Sequence, residues 1–175
     1  TWMDAKVDGR VVTPRAGKPV EVQALWHNAL RVVSLYAADL GDAFTAARLL
    51  ALADQARESF AGLFWDEGLG WLADVVAPDG TRDLSLRPNK LFALSLHRPL
   101  LTGRRAERVL AAVEQKLLTP YGLRSLDPAH PDYRGRFEGG PSQRDAAYHQ
   151  GTAWPWLLGP FVDAHLAVRG NGPES

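Results

Sequence analysis

Carboxylates set among tryptophans, arginines and amides are the side chains here best suited to chemistry. The stretch from Arg134 to Pro160 holds most of them: Glu138 and Asp145, arginines at 134, 136 and 144, His149, Gln150, Trp154 and Trp156. Gly135, Gly139, Gly140 and Pro141 interrupt it, and glycine lets backbone approach a ligand closely. The stretch is too polar for a core and too aromatic for a linker. Loops of this kind carry functional groups on a rigid scaffold; the plainer reading is a capped loop whose charges pair with one another. Aromatic rings cover the apolar faces of a sugar while polar groups bind its hydroxyls. Cleaving a glycosidic bond takes one protonated carboxyl and one ionised carboxylate flanking that bond. The opening residues Thr1-Trp2-Met3-Asp4 supply a further carboxyl beside an indole. The candidates are therefore Asp4 at one end and Glu138 or Asp145 at the other.

Other chemistries find little support. The five histidines are scattered without a His-x-x-x-His pair, which argues against a zinc site. Neither a Gly-x-Gly-x-x-Gly loop nor a Gly-x-Ser-x-Gly elbow is present. With no cysteine there is no disulfide and no thiolate ligand, and no metal or cofactor is expected. Twenty basic residues balance twenty acidic ones, whereas a nucleic-acid or anionic-membrane binder carries a basic excess. No apolar run is long enough to span a bilayer and none reads as a signal peptide, so the expected location is cytoplasmic. At 175 residues the chain can bury one sizeable core. It opens without an initiator Met, and the expectation is a piece of a longer domain.

Helices must position these groups. Apolar residues recur with helical period at Val22, Leu25, Trp26, Ala29, Val32, Val33, Tyr36, Ala37 and Leu40, so a helix is predicted from Lys18 to Gly41. Asp42 caps a second, from Ala43 to about Phe64, and the short connection makes an antiparallel hairpin of the two. Phe64 to Val76 alternates aromatic and β-branched residues around Gly68 and Gly70, which predicts a short β-hairpin. Further helices are predicted from Lys90 to Leu96, Arg104 to Leu118 and Thr152 to Val168. Arg134 to Gly151 is expected to be loop, and Gly170 to Ser175 a frayed tail. Trp26 reads equally as core packing. Arg87, before Pro88-Asn89, reads either as a surface ion pair or as a hydrogen-bonding fork facing a polar ligand.

Several segments, in order and over nearly the whole chain, resemble a known family. They are Thr1-Trp2-Met3-Asp4-Ala5-Lys6, Thr13-Pro14-Arg15, Gly17-Lys18-Pro19-Val20-Glu21, Ala24-Leu25-Trp26, Asn28-Ala29-Leu30, Arg87-Pro88-Asn89, Leu118-Thr119-Pro120-Tyr121-Gly122-Leu123-Arg124 and Tyr148-His149-Gln150-Gly151-Thr152-Ala153-Trp154-Pro155-Trp156. Together they look like the C-terminal catalytic half of the glycogen debranching enzyme (amylo-α-1,6-glucosidase) family. The resemblance implies an all-α fold: one domain that is half of an (α/α)6 glucoamylase-like barrel, with about six helices and a small β-hairpin. It implies inverting hydrolysis of α-1,6-linked glucose at branch points of glycogen or a branched oligosaccharide.

In that family the aspartate of Trp-Met-Asp is the general acid, a role that falls on Asp4. The general base falls on Glu138, with Asp145 the runner-up. Trp2, Trp26, Asn28, Arg87, Asn89, Arg144, His149, Gln150 and Trp154 would line the sugar pocket. Such an acid must be protonated at working pH, which requires burial beside Trp2; an inverting pair stands roughly 6.5–9.5 Å apart. A whole barrel needs about twice this chain, so the other half, or a second copy, is expected to complete the pocket. An apolar face should lie exposed along the severed edge. Two alternatives stand beside this reading: a glucoamylase-like or trehalase-like hydrolase of another α-glucoside, and a non-catalytic half-barrel that binds glucan.

Overall fold

A computed structural model of the chain describes residues 1–170; the rest of the expected tail lies outside them. The chain opens with a hairpin of β1 (Lys6–Val7) and β2 (Arg10–Val11). Its turn is Asp8-Gly9, both at positive φ (49° and 78°), the two-residue connection that matches the right-handed twist of paired strands. After β3 (Lys18–Pro19) comes α1 (Val20–Asp39), then α2 (Ala43–Phe64). Asp42 caps α2 by accepting from the Thr45 amide at 3.0 Å. The two helices lie side by side as the predicted hairpin.

The stretch after α2 divides between two small sheets. β4 (Trp65–Asp66) pairs with β5 (Trp71–Leu72), the predicted hairpin. β6 (Val75–Val76) instead joins β3 and β7 (Arg82–Asp83) in a three-stranded antiparallel sheet. That pairing ties the residues before α1 to those after α2. A 3-10 turn at Pro88–Leu91 leads into the short α3 (Phe92–Ser95), followed by α4 (Gly103–Lys116). β8 (Leu118–Thr119) and β9 (Gly122–Arg124) form a hairpin.

Within the expected loop a helix forms, α5 (Pro141–Tyr148). Its start was written in the sequence: Pro141 takes the first helical position, where its missing N–H costs nothing. Gln143 reaches back to accept the Gly140 amide at 2.6 Å, one half of a capping box. The final helix is shorter than predicted. β10 (Ala153–Trp154) pairs with β9, and a 3-10 turn at Pro155–Leu157 precedes α6 (Leu158–Arg169).

Five of the helices are neighbours in the order α2, α1, α3, α6, α4, while α5 packs against β1. Their core holds Leu91, Leu94, Val109, Leu110, Leu117, Leu157 and Ala164, all buried. The described residues close no barrel, and none of their helices is long and apolar enough to cross a membrane.

On α1 the buried stripe is not the one the large apolar residues mark. Val20, Ala24, His27, Leu30 and Ser34 face inward. Trp26 is 55% exposed, Tyr36 62% and Leu40 87%, and Phe44 at the start of α2 is 79% exposed. Periodicity finds a stripe, but when a helix has apolar residues on two faces it does not say which one is covered.

Candidate functional site

Trp2 is the hub of the site. Its indole stands edge-on to three other rings, with centroids 5.0 Å from His149, 5.9 Å from Trp154 and 5.1 Å from Trp156. Edge-to-face packing of this kind suits the ring quadrupoles. The row continues from Trp154 to Tyr148 at 4.7 Å and from Tyr148 to Phe137 at 5.7 Å. Asp4 lies two residues beyond Trp2, and Glu138 directly follows Phe137. A continuous run of rings therefore joins the segment of one candidate carboxylate to that of the other. Its outer members stay open, with Tyr148 36%, Trp156 45% and Phe137 48% exposed.

Beneath the rings lies a buried polar layer. Trp2 Nε1 donates to Asn89 Oδ1 at 2.8 Å, and Asn89 Nδ2 donates to Asp74 Oδ1 at 2.9 Å. Asp74 accepts Arg15 Nε on its other oxygen at 2.7 Å, and Arg15 turns its remaining fork to Glu21. Arg87 donates to the carbonyls of Ser125 and His149 at 3.1 and 2.8 Å, and to Gln150 Oε1 at 2.7 Å. Ser125 Oγ accepts the Gly151 amide at 2.9 Å. Arg87 thus pins the Tyr148–Gly151 turn that presents His149 to Trp2. Gly151, at φ +146°, is needed there, since a Cβ would stand 2.5 Å from the Arg134 carbonyl oxygen.

Asn89 and Arg87, read as ligand-facing, spend their polar groups on these protein partners. Gln150 is held the same way. Trp26 and Asn28 sit apart from the rings. Trp26 lines a groove between α1 and α2 with Gln23, Gln55 and Ser59, and Asn28 Oδ1 accepts the Arg98 amide at 3.0 Å. Arg144 and Asp145 are exposed on α5, which packs against β1.

The carboxylates stand in water. Asp4 is exposed, because only Trp2 and Met3 of the opening residues turn inward; the burial expected of a general acid is absent here. Glu138 lines an open cleft with Tyr133, Arg134, Ser142 and Gln143 and lies 3.7 Å from Arg136. In the sequence Arg15 stands out only as part of the Thr13-Pro14-Arg15 segment, with no role attached, and Asp74 not at all. An isolated Asp is a weak signal, and the two acquire meaning from pairing across 59 residues.

His149 is 1% exposed. Burial pushes its imidazole down from 6.5 to about 4, against the pull of Asp4's charge and with help from Arg87. The ring is therefore neutral at pH 7. The unfolded chain binds that proton more readily, so stability is full above pH 6.5 and falls as pH drops from 6.5 towards 4. The loss attributable to His149 should reach up to about 3 kcal/mol. Urea unfolding at pH 7 and pH 4.5 of wild type and His149→Gln checks this. The variant should lose less stability between the two, and parallel losses would remove His149 as the source.

Comparison with known proteins agrees with the motifs. The family model for amylo-alpha-1,6-glucosidase matches residues 1–174. The glycogen debranching enzyme of Saccharomyces cerevisiae is 34% identical over 88 residues, 47% of this chain. The matched region is 6% of that relative's length. With its family match running from end to end, the chain belongs to the amylo-alpha-1,6-glucosidase family.

Proposed function

We propose that the chain is the part of an inverting α-1,6-glucosidase that carries both catalytic carboxylates, with glycogen or a branched limit dextrin as substrate. The observation that carries this reading is the row of rings from Trp2 to Phe137, with Asp4 beside one end and Glu138 beside the other. Trp154, Tyr148 and Trp156 offer faces on which a glucosyl unit can stack. Asp4 protonates the leaving oxygen as general acid, and Glu138 activates a water on the opposite face; Asp145 is the alternative base.

The row of helices is read as one half of an (α/α)6 barrel. The other half would cover Asp4 and exclude the water that now reaches it. The exposure of Asp4, Glu138 and Asp145 favours a second reading, a glucan-binding half-barrel without turnover.

The deciding experiment is incubation of this chain, alone and with the remainder of its domain, with a glucosyl-branched limit dextrin. Proton NMR would read glucose and its anomer, with maltose and trehalose as competing substrates. Release of β-glucose from the dextrin alone is expected. Initial α-glucose would overturn inversion, and hydrolysis of maltose or trehalose in preference would reassign the substrate. Saturable binding without release from the completed domain would favour the second reading.

A further inference from the structure

Asp74 is fully buried, and its two oxygens face different tasks. One is fixed by Arg15, which is itself held by Glu21. The other receives Asn89 Nδ2, whose opposite end receives the Trp2 indole N–H. Because an amide donates from one end and accepts at the other, the link to Asp74 decides which end of Asn89 meets Trp2. With the carboxylate in place, Asn89 must turn its nitrogen to Asp74 and its oxygen to Trp2. Without it the amide is free to flip and present N–H to N–H. Trp2 anchors the remaining rings, and Asp4 follows it by two residues.

We propose that Asp74 is a positioning residue, acting through Asn89 to fix the Trp2 indole and with it the aromatic row. Any role in glycoside cleavage rests on the function proposed above, whereas the hydrogen-bond relay can be tested without activity. Chains labelled with 15N at the six tryptophan indoles report solvent exchange of each N–H separately. Trp71 serves as the internal control, since its indole donates to the Leu84 carbonyl at 3.0 Å outside the row.

In Asp74→Asn, Trp2 exchange should accelerate about tenfold or more, the loss of one hydrogen bond's net worth, while Trp71 stays at its wild-type rate. A merely structural role would accelerate both alike, and that result, or an unchanged Trp2, overturns the proposal. Should Asp74→Asn fail to fold, the double variant Asp74→Asn with Asn89→Asp decides. Residue 74 then donates its amide to residue 89, whose other oxygen still accepts the Trp2 N–H, so Trp2 exchange should stay near the wild-type rate, and a selective rise overturns the proposal. Glucose release measured on the same variants in the completed domain is read separately. Selective Trp2 exchange with undiminished release leaves the relay standing and removes Trp2 from the sugar site.

Discussion

Asp4→Asn is expected to lower glucose release from a branched limit dextrin by about 10²–10⁴-fold, the contribution of a positioned general acid, with the fold unchanged. The fold should survive because Asp4 is exposed, so the amide replaces no buried contact. Trp2 and Met3, which do pack inward, are untouched. The effect should fall on kcat more than on KM, since proton donation stabilises the transition state rather than the bound substrate. A substrate with an activated leaving group, which needs no protonation, should lose much less. Near-wild-type release would remove Asp4 from the mechanism. Glu138→Gln and Asp145→Asn then sort the base: the true base shows a loss of similar size on both substrates, because water activation is needed whatever the leaving group. The other carboxylate, exposed and outside the chemistry, should shift rates little.

How far the sequence reaches can be judged from particular residues. The ends of α1 and α2 were legible because their signals are local: Gly41 between the helices, and Asp42 bonding an amide three residues on. The Trp65–Leu72 hairpin was legible for the same reason. The start of α5 was equally local, yet the polar and aromatic content of the segment drew attention away from Pro141 and Gln143. The (α/α)6 expectation came from resemblance alone; the helices form a row and no ring among the described residues.

The site divides along the same line. That Trp2, His149 and Trp154 line one sugar pocket was expected from the resemblance, and their three rings lie together. That Asn89 and Arg87 face inward to protein rather than outward to ligand was not, because their partners lie 15 to 87 residues away. Residue type suggested hydrogen-bonding capacity. Only the fold settles where that capacity is spent. On α1 the ambiguity was of another kind, since Trp26 and Tyr36 satisfy the helical period as well as Ala24 and Leu30 do.

Arg15→Met should cost the fold about 3–5 kcal/mol, the usual loss when one partner of a buried ion pair is removed. Arg15 serves two buried carboxylates: its side chain is 2% exposed, that of Glu21 6% and that of Asp74 0%. Burial by itself would pull the guanidinium down, but its bond to Glu21 and the charges of Asp74 and Glu21 carry it above its ordinary value. Removing it leaves two carboxylates in low dielectric without that partner; Arg87, 3.9 Å from Asp74, and the buried Lys90, whose ammonium feels the charge of Asp74, remain. Exposed pairs give the contrast. Arg57 with Asp54, both roughly half exposed, should contribute under about 1 kcal/mol. Urea denaturation followed by circular dichroism measures both, and a loss below about 1 kcal/mol for Arg15→Met would show that water reaches the network. Glu21→Gln in the Arg15→Met background should restore part of the loss, because it takes one unpaired charge away. Asp74 would still lack its main counterion, which ties the stability of this end of the molecule to the same carboxylate that orients Asn89 and Trp2.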